Sequence, residues 1–211
     1  MHDFVGLAFD LAFKYRNPAI ILADGVIGQM MEKVVLPEQR PRLTNEEVMA
    51  RCPWATFGKL KHRGPNIVTS LELDPAEMEK RNIHLQQKYA EIEEKEVRYE
   101  EIHCDDAEYL IVAFGSCARI AQKAMEEARA EGIKVGLLRP ITLWPFPSKA
   151  IAERSRQVKG ILTVELNAGQ MVEDVRLAVE CKVPVEYFGR LGGIVPDPDE
   201  VVTALKEKII K

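Results

Sequence analysis

The sequence has no cationic surplus: 29 Lys and Arg stand against 33 Asp and Glu, for a formal net charge of −4. A nucleic-acid-binding surface normally carries a basic excess, so that class is disfavoured. No apolar run approaches the ~20 residues a membrane span needs. The opening Met1-His2-Asp3-Phe4 lacks the cationic flank of a secretory signal. A cytoplasmic protein with neither membrane nor nucleic-acid partners is expected. Cysteine is sparse and scattered, at 52, 104, 117 and 181, with no CxxC pair. Neither an iron–sulfur cluster nor a zinc site on this chain is therefore expected. Cys117 and Cys181 fall on apolar faces of expected helices, where a buried free thiol is the usual outcome, and a reducing cytosol disfavours a disulfide framework. The four histidines, at 2, 62, 84 and 103, all precede the expected C-terminal domain, which leaves a nucleophile–base triad there without its usual base.

What is present divides into three stretches. Asp3 is expected to cap a helix in which Phe4, Leu7, Ala8, Leu11, Ala12 and Tyr15 share one face, stopped at Asn17-Pro18. Ala19-Ile20-Ile21-Leu22-Ala23 then reads as a strand buried on both faces, which belongs in a parallel sheet. One helix and one strand cannot cover such a strand. Residues 37–73 show no sustained period and are punctuated by proline and glycine, with Trp54 and Phe57 as expected anchors. They read as a linker laid over a surface, and the basic run Lys59, Lys61, His62, Arg63 as a solvated loop. Asp74-Pro75-Ala76-Glu77 is a helix start with a capping box. Met78, Leu85, Ile92 and Tyr99 recur every seven residues behind it without a second apolar seam. That spacing predicts a long charged strut.

From Glu108 onward, apolar runs alternate with amphipathic helices. Strands are expected at 109–114, 134–138, 161–166 and 184–188, and helices after Gly115-Ser116, at 148–159, after Met171 and after Asp197-Pro198-Asp199-Glu200. Such alternation specifies an α/β domain, a mostly parallel sheet with helices on both faces. Ligands of such sheets bind beyond the carboxyl ends of the strands. That edge offers Gly115, Ser116, Arg119, Arg139, Asn167 and Gly169 as candidates for an anion site, while Ser116 acting simply as a helix cap is the plainer expectation. Gly115 lacks the spaced glycines of a dinucleotide fingerprint, and no Walker pattern occurs. Surface or ion-pair roles are expected for Glu165 and for Asp105-Asp106. No complete active site is legible.

The string Leu137-Leu138-Arg139-Pro140-Ile141-Thr142-Leu143-Trp144-Pro145-Phe146-Pro147, following Gly115-Ser116, resembles the C-terminal domain of transketolase-like enzymes. Three further strings sharpen the likeness: Lys14-Tyr15-Arg16-Asn17-Pro18, Ala23-Asp24-Gly25-Val26-Ile27-Gly28-Gln29-Met30-Met31-Glu32, and Asp106 through Ser116. Together they resemble the α subunit of 2-oxoacid:ferredoxin oxidoreductases, nearest to the branched-chain, 2-oxoisovalerate type. The resemblance implies oxidative decarboxylation of a 2-oxoacid to an acyl-coenzyme A, with ferredoxin as acceptor. It implies thiamine diphosphate with Mg between this subunit and a β subunit, and iron–sulfur clusters on other subunits. Residues 1–36 are then the truncated end of the pyrimidine-binding domain, 37–105 the linker with its long helix, and 106–211 the transketolase-like domain. The glutamate that activates the cofactor's pyrimidine ring has no counterpart here. The resemblance thus implies no catalytic residue, no metal ligand and no activity for the isolated chain, and it sets the six edge residues near the coenzyme A side. Residues 3–36 are expected to pack onto the C-terminal domain or a second copy of the chain. Two other readings stand beside it: another thiamine enzyme's C-terminal domain, such as a 2-oxoacid dehydrogenase β subunit, and a non-enzymatic nucleotide- or partner-binding module.

Overall fold

Short apolar runs rich in Ile, Leu and Val become strands where neighbours can take their backbone groups. The computed structural model describes residues 1–56, 58 and 64–210, so Phe57 and the Lys59, Lys61, His62, Arg63 run lie outside the described residues. Five strands form one mixed sheet: β1 (Tyr99–Ile102), β2 (Tyr109–Ala113), β3 (Val135–Pro140), β4 (Ile161–Glu165) and β5 (Val185–Gly189), ordered β1-β3-β2-β4-β5. The last four run parallel, and β1 lies antiparallel to β3 with Glu100 opposite Arg139. This is the expected α/β architecture.

Alternation along the strands divides the core. Ile111, Ala113, Leu137, Leu162 and Val164 face α5 (Gly115–Ala130) and α8 (Pro198–Leu205). Leu110, Val112, Leu138 and Ile161 face α6 (Ser148–Ser155) and α7 (Met171–Val179). Asp197 and Glu200 close the expected capping box at α8, and a π-helical turn follows at Lys206–Ile210. Two arginines brace the ends of the sheet. Arg154 forks onto Glu101 at 3.0 and 2.6 Å and reaches Asp105 at 3.0 Å. Arg129 holds Asp106 at 2.6 Å and the carbonyls of His103 and Val135. Both aspartates therefore take the ion-pair role expected of them.

The chain divides into two compact units, Ala23–Gln29 with Tyr89–Lys211, and Met1–Leu22 with Met30–Lys88. The second of these holds α1 (His2–Tyr15), α3 (Asn45–Arg51) and most of α4 (Pro75–Lys95). Phe13 stacks on Trp54 at 5.6 Å, with the Arg16 guanidinium 4.9 Å over the indole. Trp54 is thus an anchor, as expected. Asp10 and Arg40 form a two-bond ion pair at 2.8 and 3.0 Å.

Several expectations fail. The run Ala19–Ala23 forms no strand, and Ile20 and Leu22 stand 80% and 68% exposed. A parallel-sheet strand needs partners on its edges, and the described residues provide none for this run. Helix α1 starts at His2 with Met1 in the cap position, so Asp3 lies in its first turn instead of capping it. The stretch read as irregular contains α3, whose Thr44/Glu47 capping box was legible in the sequence. Helix α4 stops at Lys95, and Tyr99, read as its next apolar position, opens β1. Cys181 is exposed, in a left-handed turn after α7. Among the described residues, no helix is long and apolar enough to cross a membrane.

Candidate functional site

At the carboxyl edge, β2 runs through Phe114 directly into α5. Phe114 supplies no side-chain cap, and Gly115 adopts φ +58°. Ser116 does not cap the helix, contrary to the plainer expectation. Its hydroxyl is buried beside the Asp24 carboxylate. The helix start instead faces a carboxylate of the same unit, that of Asp24. Asp24 Oδ1 accepts from Ile27 N at 2.8 Å, capping α2 (Gly25–Gln29), and a Cβ placed on Gly115 would stand 3.9 Å from Asp24 Oδ2. Partial burial pushes the Asp24 carboxyl up, but the donors around it outweigh that and leave it below the ordinary aspartate value. They are the Ile27 N–H, the nearby Ser116 hydroxyl, and the N–H groups of Val26 and Ser116. An internal carboxylate thus stands at the helix start, which the sequence had also offered as a candidate anion site.

The next turn along the edge is built around Glu165, which is not at the surface and makes no ion pair among the described residues. It is 1% exposed, and its carboxylate accepts from the N–H groups of Gln170 (3.2 Å), Met171 (2.8 Å) and Val172 (3.0 Å). It caps α7 from the preceding strand, which suits the positive end of the helix dipole. Asn167 Oδ1 accepts from Gly169 N at 2.7 Å, Gly169 sits at φ +98°, and the Tyr187 hydroxyl donates to Asn167 O. Asn167 and Gly169 are therefore spent on shaping the turn. Gly189 leaves room for the Tyr187 ring: a Cβ there would fall 2.6 Å from Cζ and 2.7 Å from Glu165 O.

The two arginines complete the candidate set. Arg139 pairs with Glu100 across the β1–β3 ladder at 2.8 Å. Arg119 is exposed on α5. Cys117 is buried and feels both Asp24 and Glu165, and burial followed by those charges pushes its thiol up to about 12. Burial likewise raises Cys104 to about 11. Neither thiol is poised as a nucleophile at neutral pH. Among the described residues, no group of three or more His, Cys, Asp or Glu is arranged to hold a metal. Sequence reasoning missed Asp24 as a partner of Ser116. The only local signal was Asp-Gly before a short apolar pair, which marks a turn without saying where it docks.

A mixed five-stranded sheet with helices on both faces, its carboxyl-edge turns held by the Asp24 and Glu165 carboxylates, defines an α/β core domain. Residues 107–201 match the family described as pyruvate:ferredoxin oxidoreductase core domain II. Over nearly its whole length the chain is similar to 2-oxoacid oxidoreductase subunits. It is 46% identical over 98% of its length to the ketoisovalerate oxidoreductase subunit VorB of Methanothermobacter thermautotrophicus, and 29% identical over 96% to the 2-oxoglutarate synthase subunit KorA of Methanothermobacter marburgensis. It spans 57% and 60% of those two relatives. A solved 2-oxoglutarate:ferredoxin oxidoreductase from Magnetococcus marinus shares the fold, with a TM-score of 0.57 and 24% identity over 64% of this chain and 24% of that one.

Proposed function

We propose that this chain is part of a subunit of a 2-oxoacid:ferredoxin oxidoreductase acting on a branched-chain 2-oxoacid, with a scaffolding role inside that complex. The observation that carries the proposal is the 46% identity to a ketoisovalerate oxidoreductase subunit over nearly the whole chain, against 29% to a 2-oxoglutarate synthase subunit. The relatives carry the letters B and A, so the proposal identifies the subunit by its domain content and not by the α label.

The scaffolding role follows from the side chains. Thiamine diphosphate needs a buried carboxylate free to meet its pyrimidine ring. The two buried glutamates here are committed, Glu165 to three backbone N–H groups and Glu96 to Arg98 at 2.9 Å. Cys117 and Cys104 are buried in separate core layers, so they do not converge as cluster ligands would. The described residues thus do not fit the cofactor's activating contact or an iron–sulfur cluster, and both belong to other parts of the complex. The exposed α1 face of Val5, Phe9 and Phe13 supports residues 1–36 as the end of a domain completed by further chain, or by a second copy in the isolated protein. The strand-end loops, with Gly115, Ser116, Asn167 and Gly169, remain the side on which coenzyme A would approach.

Reconstitution tests the reading. This chain is mixed with the other subunits of a ketoisovalerate oxidoreductase, and viologen reduction by 2-oxoisovalerate is followed with thiamine diphosphate and coenzyme A present. The expected result is silence from this chain and activity from a version extended to the length of its relatives. Activity from the short chain would overturn the scaffolding role.

A further inference from the structure

The sheet ends at β5, and among the described residues no other strand pairs with its outer side. Ile161 N donates to Pro184 O and Arg190 N to Glu165 O, so alternate residues of β5 serve the ladder to β4. The backbone groups of Val185, Tyr187 and Gly189 therefore turn outward, a row that a further strand can use. The strand itself has few of the usual defences of an edge. Val185, Tyr187 and Phe188 favour extended backbone, and no proline lies between 185 and 189. Its one charged residue is Glu186. When two such strands pair antiparallel about Tyr187, Glu186 stands opposite Phe188 of the second copy, so no like charges meet.

Two cations cover this edge. The Arg176 guanidinium donates to Val185 O at 3.2 Å, and Lys208 Nζ donates to Tyr187 O at 2.7 Å. They come from opposite faces of the sheet. Arg176 lies on α7, which is seated by buried Val172, Val175 and Val179. Lys208 lies on the π-helical turn Lys206–Ile210, where Ile209 and Ile210 pack onto the core layer of α5 and α8. Ile209 fills the space beside Gly160, where a Cβ would fall 2.6 Å from its Cγ2. Both cations are thus carried to the edge by packed elements. Neither has an ion-pair partner among the described residues, which leaves both charges to the two carbonyls.

We propose that Arg176 and Lys208 form an autoinhibitory contact on β5, one that keeps a second copy of the chain from pairing with this edge. An antiparallel pair centred on Tyr187 needs Tyr187 O for the Tyr187 N–H of the second copy, and Val185 O for its Gly189 N–H. Both acceptors are already taken by charge-assisted hydrogen bonds, which are stronger than the neutral ones that would replace them. Pairing would also bring the two cations of each copy together across the two-fold axis, and their repulsion opposes it. The contact belongs to this chain by itself and goes beyond the proposed function. It stands or falls whether or not the complex turns over a 2-oxoacid.

The test follows self-association of the full chain by sedimentation velocity over a concentration series, with hydrogen exchange of the Val185, Tyr187 and Gly189 N–H groups at each concentration. The double variant Arg176→Met, Lys208→Met keeps the apolar stems and removes the donors and charges. It is expected to associate at least about tenfold more tightly than the wild type, because pairing no longer displaces two charge-assisted hydrogen bonds. Its Tyr187 N–H should gain protection as concentration rises. The conservative pair Arg176→Lys, Lys208→Arg is expected to behave as the wild type. Association through the α1 face would leave exchange at β5 unchanged, so the two surfaces are read separately. Equal association of the Met variant and the wild type overturns the proposal, as does tighter association without protection at β5. Association of the conservative pair as tight as that of the Met variant overturns it too. Wild-type Tyr187 protection that already rises with concentration overturns it without recourse to any variant.

Discussion

Replacing Glu165 by Gln tests whether one carboxylate at the end of β4 holds α7 in place. The side chain keeps its shape and loses its charge and one acceptor. Glu165 Oε2 serves Gln170 and Met171, and Oε1 serves Val172. The glutamine oxygen will keep the two-donor position, which turns its NH2 toward the Val172 N–H. A buried donor left facing a donor costs roughly 1–3 kcal/mol, and losing the charge at the helix terminus costs about 1 kcal/mol more. The expected destabilisation is about 3 kcal/mol. With a urea dependence of about 2 kcal/mol per molar, the unfolding midpoint should fall by about 1.5 M. Urea unfolding followed by circular dichroism reads the loss, and hydrogen exchange should place it at the Met171 and Val172 N–H groups. A midpoint within about 0.3 M of the wild type, a difference well below one such hydrogen bond, would show that packing alone holds α7 and would refute the capping argument.

Two further outcomes follow from the same structure. Gly136→Ala should destabilise by about 2 kcal/mol in the same assay, because its Cβ would stand 2.9 Å from His103 O and 3.0 Å from Cys104 Cα, backbone atoms that cannot move aside; Gly64→Ala, with nothing within 4 Å, should change stability little. In the native protein a thiol reagent near pH 8 should modify exposed Cys181 rapidly and leave Cys104 and Cys117 slow until denaturant is added. Because folding raises those two thiols to about 11 and about 12, the stability they contribute is present below 9.0, the ordinary value, and is lost as pH climbs through that window; rapid native modification of Cys117 would contradict its burial.

Elements with local signals could be read before any contact was known. The apolar runs of β2 and β4 and the Asp197-Pro198-Asp199-Glu200 box define their strands and helix within a few residues, because hydrophobic period and capping chemistry act between near neighbours. The α/β class followed from their alternation. The remaining features depend on contacts between distant parts of the chain. Ala19–Ala23 carries the composition of a buried strand and remains irregular, because a strand exists only where another offers its edge. Tyr99 continues the seven-residue spacing of α4 and yet opens β1, where Arg139 stands opposite Glu100. At the carboxyl edge, Glu165 looked like a surface acid until its depth and three donors were seen. The nearest anion to Ser116 came from Asp24, far away in the chain. Which charge meets which helix terminus is a matter of distances across the fold, and no local window of sequence contains them.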